Sequence, residues 1–304
     1  MLLKNKLRIA RDASFVGRPF WVCFCFIIPV SVKLCFRYWG LFFLIMGSVL
    51  MVPLHSEPLK ANRPGWAGWV FDRHTQKMKY FGEIVSNQLY PVASVAKLVL
   101  ALHVLEQSPK FFKKTIYCEG PRKQTRHSTE MLCYDYHNAV QLKEALAFSC
   151  NAYFKALIAE EKPQEILKTF RRYGWALQLR PDAALNERWD AFLGVAQGSQ
   201  VSAPQILKIL QNITDSAQYP SIQNYLEYGR KVGTTKNLQT CGNLGLIGKT
   251  GTKLVSTHEV LGVFAGWAPE IHPRYLVFTQ VPGSRGKDAP AKLGCEVLDE
   301  VIKK

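Results

Sequence analysis

The tetrad Ser94-Val95-Ala96-Lys97 constrains this chain more than any other stretch, because of what surrounds it: Tyr90-Pro91-Val92-Ala93 before, Leu98-Val99-Leu100-Ala101-Leu102-His103 after. The apolar run after the serine holds almost no helix breaker, so Pro91 and Ala93 lead into a helix predicted to open at Ser94 and to continue to about Leu105. Residues three apart share a helix face, which puts the Lys97 amine within reach of the Ser94 hydroxyl, beside the positive end of the helix dipole. The pair is a nucleophile with a candidate base. Standing alone, a Ser-x-x-Lys string should turn up about once by chance in a chain of this length, and its bland reading is a helix cap with a solvated lysine. Two more strings follow in order, Ser149-Cys150-Asn151 and Lys249-Thr250-Gly251-Thr252. Alone, the first reads as a turn interrupting a helix and the second as a tight turn between Gly248 and Thr252.

Composition bears on where such a chain works. Its 304 residues, 48% of them hydrophobic, suffice for a full core once an N-terminal segment is set aside. The net charge is +16, and Lys4, Lys6, Arg8, Arg11, Arg18, Lys33 and Arg37 against Asp12 account for a cluster beside the first apolar segments. The remainder is still basic, which suits anionic lipid head groups or acidic wall polymers. No zinc-finger spacing, basic helix or aromatic-basic interleave supports a nucleic-acid partner, and none is expected. Residues 20–32 and 38–54 are strongly apolar, each short against the roughly 17–25 residues of a membrane helix. The second is the better span, because the positive charges before it stay cytoplasmic and leave the C-terminal domain outside. A buried helix, a hairpin of both segments and a cleaved signal peptide are the competing readings. The expected organisation is 1–57 as basic cytoplasmic N terminus and single-pass anchor, 58–66 as linker, and 67–304 as a folded domain on the periplasmic or extracellular side.

The cysteines show no pair with zinc-ligand spacing, so no metal and no cofactor is expected. Cys23, Cys25 and Cys35 lie in the apolar N-terminal region. If the domain is exported, Cys118 with Cys133, flanking a short polar insertion, is the first disulfide candidate and Cys241 with Cys295 the second. Cys150 should point into the core as a small apolar group. Strands are predicted over 68–72 and 77–81 around a turn at 74–76, and again over 259–267 and 275–281. Helices are predicted over 141–157, 162–173, 203–213 and 289–303. Sheet and helices from both ends of the chain give an α+β class: an antiparallel sheet covered by helices, with a mostly helical lobe between.

Taken in order, Ser94-x-x-Lys97, Ser149-x-Asn151 and Lys249-Thr250-Gly251 resemble the active-site motifs of the penicilloyl-serine transferases, the penicillin-binding D,D-peptidases and serine β-lactamases. Residues 137–154 are similar to the stretch that contains Ser-x-Asn in the larger penicillin-binding transpeptidases. Residues 194–205 resemble their Gly-Gln-Gly…Thr-Pro segment, with departures at Ala196 and Ser202-Ala203. The resemblance covers roughly residue 65 onward and implies a β-lactamase/transpeptidase-like fold in which a hairpin precedes the nucleophile helix. It also implies roles. Ser94 is the nucleophile and Lys97 its base when neutral, its pKa lowered from about 10.4 by desolvation and by Lys249 as a second cation. Ser149 passes the proton to the leaving amine, and Asn151 holds an amide of the acyl side chain or orients the lysine. Thr250 and Thr252 offer hydroxyls to a terminal carboxylate, Gly251 lets substrate lie along a strand edge, and the backbone N–H groups of Ser94 and Thr252 form an oxyanion hole.

These roles describe a membrane-anchored acyl-serine D,D-transpeptidase or D,D-carboxypeptidase acting on peptidoglycan stem peptides, covalently blocked by β-lactams, with cell-wall synthesis proteins as candidate partners. One alternative is a serine β-lactamase in which Asp182, of Asp182-Ala183-Ala184-Leu185-Asn186, serves deacylation. Asp is shorter than the glutamate of that segment, and a solvated loop carboxylate is its bland reading. The other alternative is a β-lactam-sensing module that acylates once.

Overall fold

The computed structural model describes residues 65–83, 89–121, 133, 135–255 and 259–303. Both N-terminal apolar segments, Cys23, Cys25, Cys35 and most of the expected linker lie outside the described residues.

Strands β1 (Ala67–Asp72) and β2 (Lys77–Gly82) form the predicted hairpin. The Asp72 carboxylate accepts the His74 N–H at 2.9 Å inside its turn. The chain then leaves the sheet through β3 (Leu89–Pro91), a 3-10 turn at Ala93–Ala96, α1 (Lys97–Gln107), α2 (Pro109–Phe112), β4 (Ile116–Cys118), β5 (Asn138–Val140), α3 (Leu142–Ala147), α4 (Asn151–Glu160), α5 (Pro163–Arg172) and α6 (Leu185–Phe192). Next come β6 (Gln200–Ser202), α7 (Ala203–Thr214) and α8 (Tyr219–Val232), and the chain returns to the sheet as β7 (Ile247–Leu254), β8 (Val260–Ala268) and β9 (Tyr275–Pro282) before closing with α9 (Ala289–Ile302). The sheet runs β2-β1-β9-β8-β7, every pair antiparallel, so strands from both ends of the chain meet at β1 and β9. Strand β7 is therefore an edge.

Alternation along the strands splits the core between two faces. Trp69, Ala265 and Phe278 pack with α1 and the helical lobe, while their neighbours Val70, Phe264 and Val277 pack with Leu293, Val297 and Leu298 of α9. Helix α1 is buried from Lys97 to Val104. Each fully buried Leu or Val there contributes about 1.5–3 kcal/mol relative to exposure, enough to fix the helix as the centre of the molecule.

Several expectations change. The predicted helix over 141–157 is two helices, α3 and α4, because Ser149 takes a left-handed φ of 58° and Cys150 an extended conformation. The α-helix after the serine starts at Lys97, and Ser94 sits in the 3-10 turn before it. Helices α6 and α8 are not among the predicted elements. Of the two candidate disulfides, Cys241–Cys295 is formed, whereas Cys118 and Cys133 are free thiols, as is Cys150. Cys150 is fully buried as expected, but it faces a polarisable neighbour, the Cys133 Sγ at 3.7 Å, instead of hydrocarbon alone.

Candidate active site

The turn that carries Ser94 is shaped by its neighbours. Ala93 is held at φ 44°, a left-handed conformation that costs a non-glycine residue of order 1–3 kcal/mol. Its N–H donates to the Gly194 carbonyl at 3.0 Å, and the Val95 N–H donates to the Val92 carbonyl at 3.0 Å. Gly194 itself is at φ +74°, and a Cβ there would lie 2.6 Å from the Ala93 carbonyl oxygen, so only glycine fits behind the serine. On the other side a Cβ at Gly251 would lie 2.7 Å from the Val92 carbonyl oxygen. The glycine of the third motif is thus required by the approach of the Ser94 turn to β7.

Lys97 is fully buried and is the point where the first two motifs meet. Its Nζ is 3.0 Å from Ser94 Oγ, 2.7 Å from the Ser149 carbonyl oxygen and 3.2 Å from Ser149 Oγ, and it also donates to Asn151 Oδ1. A carbonyl and an amide oxygen can only accept, so they take the two protons of a neutral amine and leave its lone pair for a hydroxyl proton. Burial lowers the Lys97 pKa to about 8, against the opposing pull of Cys133 and Cys150. Lys249, in β7 and equally buried, is pushed well below the usual lysine value by burial and then by the charge of Lys97. The two buried amines repel one another when both are charged, so each favours the neutral form of the other. The Lys249 amine donates to the Thr250 carbonyl at 2.9 Å.

The third motif continues along the edge strand. Thr250 Oγ1 donates to Thr234 Oγ1 at 2.9 Å, and the Thr234 N–H donates to the Ala147 carbonyl at 3.1 Å. Thr234, which carries no motif signal, therefore links β7 to the end of α3, two residues before Ser149. A Cβ at Gly233 would lie 2.2 Å from the same Ala147 oxygen, so the link also needs glycine beside it. Thr252 Oγ1 accepts the Gly286 N–H at 3.0 Å, leaving its own proton for an acceptor. Ser94, Ser149 and Asn151 all contact the Lys97 amine, and Lys249 to Thr252 lie beside them on β7. Asp182 belongs elsewhere: its side chain is 79% exposed, and its nearest charged partner is Arg180 at 4.0 Å.

An edge strand, a half-buried serine before a central helix and a buried lysine bridging to Ser-x-Asn define the penicillin-binding and serine β-lactamase class of fold. The sequence profile described as "Penicillin binding protein transpeptidase domain" matches residues 70–303, and the chain belongs to that family. Among solved structures the fold is similar to the transpeptidase domain of the FtsI4 D,D-transpeptidase from Legionella pneumophila, with TM-score 0.57, 17% identity, and 78% of this chain and 88% of that chain covered. It is similar also to PBP2 from Pseudomonas aeruginosa, with TM-score 0.65, 16% identity, and 80% and 72% covered. A class D β-lactamase, YbXI from Nostoc, superposes with TM-score 0.56 at 16% identity over 78% of this chain and 92% of that one. No curated protein matches the chain in sequence.

Proposed function

We propose that the chain is a membrane-anchored acyl-serine D,D-transpeptidase or D,D-carboxypeptidase, working on peptidoglycan stem peptides outside the cytoplasmic membrane and covalently blocked by penicillin. The observation that carries this reading is the Lys97 Nζ–Ser94 Oγ contact of 3.0 Å in a buried position shared with Ser149 and Asn151. Neutral Lys97 takes the proton of Ser94 as its oxygen attacks the peptide carbonyl carbon. The resulting oxyanion is met by the backbone N–H groups of Ser94 and Thr252. Ser149 relays the proton from Lys97 to the leaving amine, the C–N bond breaks, and an ester on Ser94 remains for an amine or water to resolve. Lys249 and the Thr252 hydroxyl face the substrate carboxylate. The peptidase reading is preferred to the β-lactamase reading because the exposed Asp182 is poorly suited to a deacylation base, which works from a desolvated position beside the ester.

The anchor and the outward topology rest on the charge bias before residue 38. Among the described residues no helix is long and apolar enough to cross a membrane. A reporter fused after Lys304 should be active only outside the cytoplasm. Incubation with labelled penicillin followed by peptide mapping tests the chemistry: label is expected on Ser94, and label elsewhere, or none on folded protein, overturns the assignment.

A further inference from the structure

Cys118, Cys133, His137 and Cys150 have no part in the reaction above, yet their Sγ and ring nitrogen atoms all lie within 4.8 Å of one another. We propose that they are the ligands of a structural zinc site, Cys3His, that clamps the Ser149-Cys150-Asn151 turn. The distances already have the right scale. With Zn–S of about 2.3 Å and Zn–N of about 2.0–2.1 Å, a tetrahedron has S–S edges of about 3.8 Å and S–N edges of about 3.5 Å. Cys133 Sγ and Cys150 Sγ are 3.7 Å apart, and Cys118 Sγ and His137 Nδ1 are 3.4 Å apart. Three thiols and an imidazole form a soft set that suits zinc and excludes calcium and magnesium, which need oxygen ligands.

The surroundings are built in the same sense. All three cysteines are buried. The Asn151 N–H donates to Cys133 Sγ at 3.0 Å, a bond that favours a thiolate and supports it from outside the ligand shell. The His137 ring stacks on Phe148, with centroids 5.5 Å apart and planes 13° apart, which orients its Nδ1. Cys118 ends β4 and His137 precedes β5, and the register Cys118↔Asn138 brings the two ligands to the same end of that ribbon. Only Cys133 and His137 are near one another in sequence, and the three cysteines are well separated, so no close Cys pair announces the set. A disulfide between Cys133 and Cys150 would instead leave Cys118 and His137 with no common role.

The consequence for the site rests on the function proposed above. Cys150 lies between two residues that contact the Lys97 amine, and Ser149 before it is held at φ 58°. An ion joining Cys150 to the β4–β5 ribbon fixes the direction of that strained turn, making Cys150 a positioning residue for Ser149 and Asn151.

The test uses the full chain purified without chelator. Elemental analysis should find about one zinc per chain, and replacement by Co2+ should give the thiolate charge-transfer and intense visible bands of a tetrahedral sulfur site. Cys118→Ser and His137→Ala should weaken Co2+ binding at least tenfold. Cys118→Asp, which keeps an anionic ligand, should still bind Co2+ with an altered spectrum, and serves where the serine variant does not fold. Zinc content near zero with no charge-transfer band, or a mapped Cys133–Cys150 disulfide in the native chain, overturns the site. For the clamp, chelated chain with native far-UV circular dichroism should acylate about 10–100-fold more slowly at saturating labelled penicillin, in line with the loss of supporting groups at metal sites. The half-saturating concentration should stay within about twofold, and zinc should restore the rate. Equal rates with and without zinc overturn the clamp. Bound zinc with no labelling of either form overturns the Ser94 assignment while supporting the metal site.

Discussion

The two sides of the site are held in place by different means. On the sheet side, Lys249 to Thr252 belong to β7, whose eight residues are all in register with β8, from Ile247↔Trp267 to Leu254↔Val260. Main-chain pairing places them, and side-chain identity matters mainly where the strand meets the Ser94 turn, at Gly251. On the helical side, Ser149 and Cys150 fill a break between two short helices and Asn151 opens the second, with no ladder to hold them. Beyond the two main-chain bonds that close α3, from the Ser149 and Cys150 N–H groups to the Leu146 and Ala145 carbonyls, their position comes from separate contacts: Lys97 on Ser149 and Asn151, Cys133 on the Asn151 N–H, Thr234 on the Ala147 carbonyl. A ladder tolerates most single side-chain changes, whereas a set of separate contacts fails with its members.

Lys97 serves both sides and gives the largest expected effect. Lys97→Met should lower the rate of penicillin acylation by about 10²–10⁴, the usual loss for a general base. Stability should change much less, because two terms oppose: a buried amine is no longer desolvated, while the Ser149 and Asn151 oxygens lose their donor at about 1–3 kcal/mol. Rapid-mixing labelling and thermal denaturation of the same variant separate the two, and a wild-type acylation rate would move the base role to another group.

The sheet side can be challenged within one strand. Gly251→Val places a branched side chain whose Cβ alone lies 2.7 Å from both the Val92 carbonyl oxygen and Val263 Cγ2. Overpacking of this kind costs about 1–3 kcal/mol, and here the displaced backbone carries Ser94, so acylation should fall as well. Two residues on, Lys253 is only half-buried, and Lys253→Val should stay within about 0.5 kcal/mol. Equal losses at the two positions in urea denaturation would mean that the ladder is less tolerant than its pairing implies.

The same contrast explains what could be read from the sequence. β1, β2, β8, β9, α7 and α9 fall within about two residues of their predicted bounds, because burial on one face imposes a period of 2 or 3.6 on the residues themselves. The motif residues could be read for the same local reason. The break at Ser149 could not: α3 closes there in a left-handed turn, with the Cys150 N–H donating to the Ala145 carbonyl at 2.8 Å and the Ser149 N–H to the Leu146 carbonyl at 3.3 Å, without the glycine or asparagine that usually marks such a turn, and Lys97, 52 positions away, adds its bond to the Ser149 carbonyl. Gly194 and Thr234 likewise act through partners distant in sequence, Ala93 and Thr250. Gly194 opens the segment over 194–205 that the sequence singles out, but its packing against the Ala93 carbonyl needs the fold.

A smaller effect tests whether the lysine is poised by burial. With the Lys97 pKa lowered to about 8, the neutral base is the minority form below that pH and the majority above it. The acylation rate at saturating penicillin should therefore rise with pH, about tenfold per unit on the acid side, and level off above about 8. A profile that stays flat from pH 6 to 9 would remove the titrating base from the rate-limiting step. One that levels off only near pH 10 would mean that burial does not lower the amine as described.

The smallest effect is expected outside both sides of the site. Asp182 lies in the turn before α6 with 79% of its side chain exposed, and Arg180 beside it is 67% exposed at 4.0 Å. A surface pair of this kind contributes at most about 1 kcal/mol and is screened by salt. A carboxylate that activates water must be in contact with that water on the open face of the ester, and a desolvated position is what brings its pKa toward the working range. Asp182 has the opposite environment. Asp182→Asn should leave folding within about 0.5 kcal/mol and leave the lifetime of the penicillin adduct unchanged, with both wild type and variant remaining acylated over the hours of a mass-spectrometric time course. An adduct that clears in seconds in the wild type and persists in the variant would show that this loop closes over the ester, and would replace the peptidase reading with a β-lactamase in which Asp182 is the deacylation base.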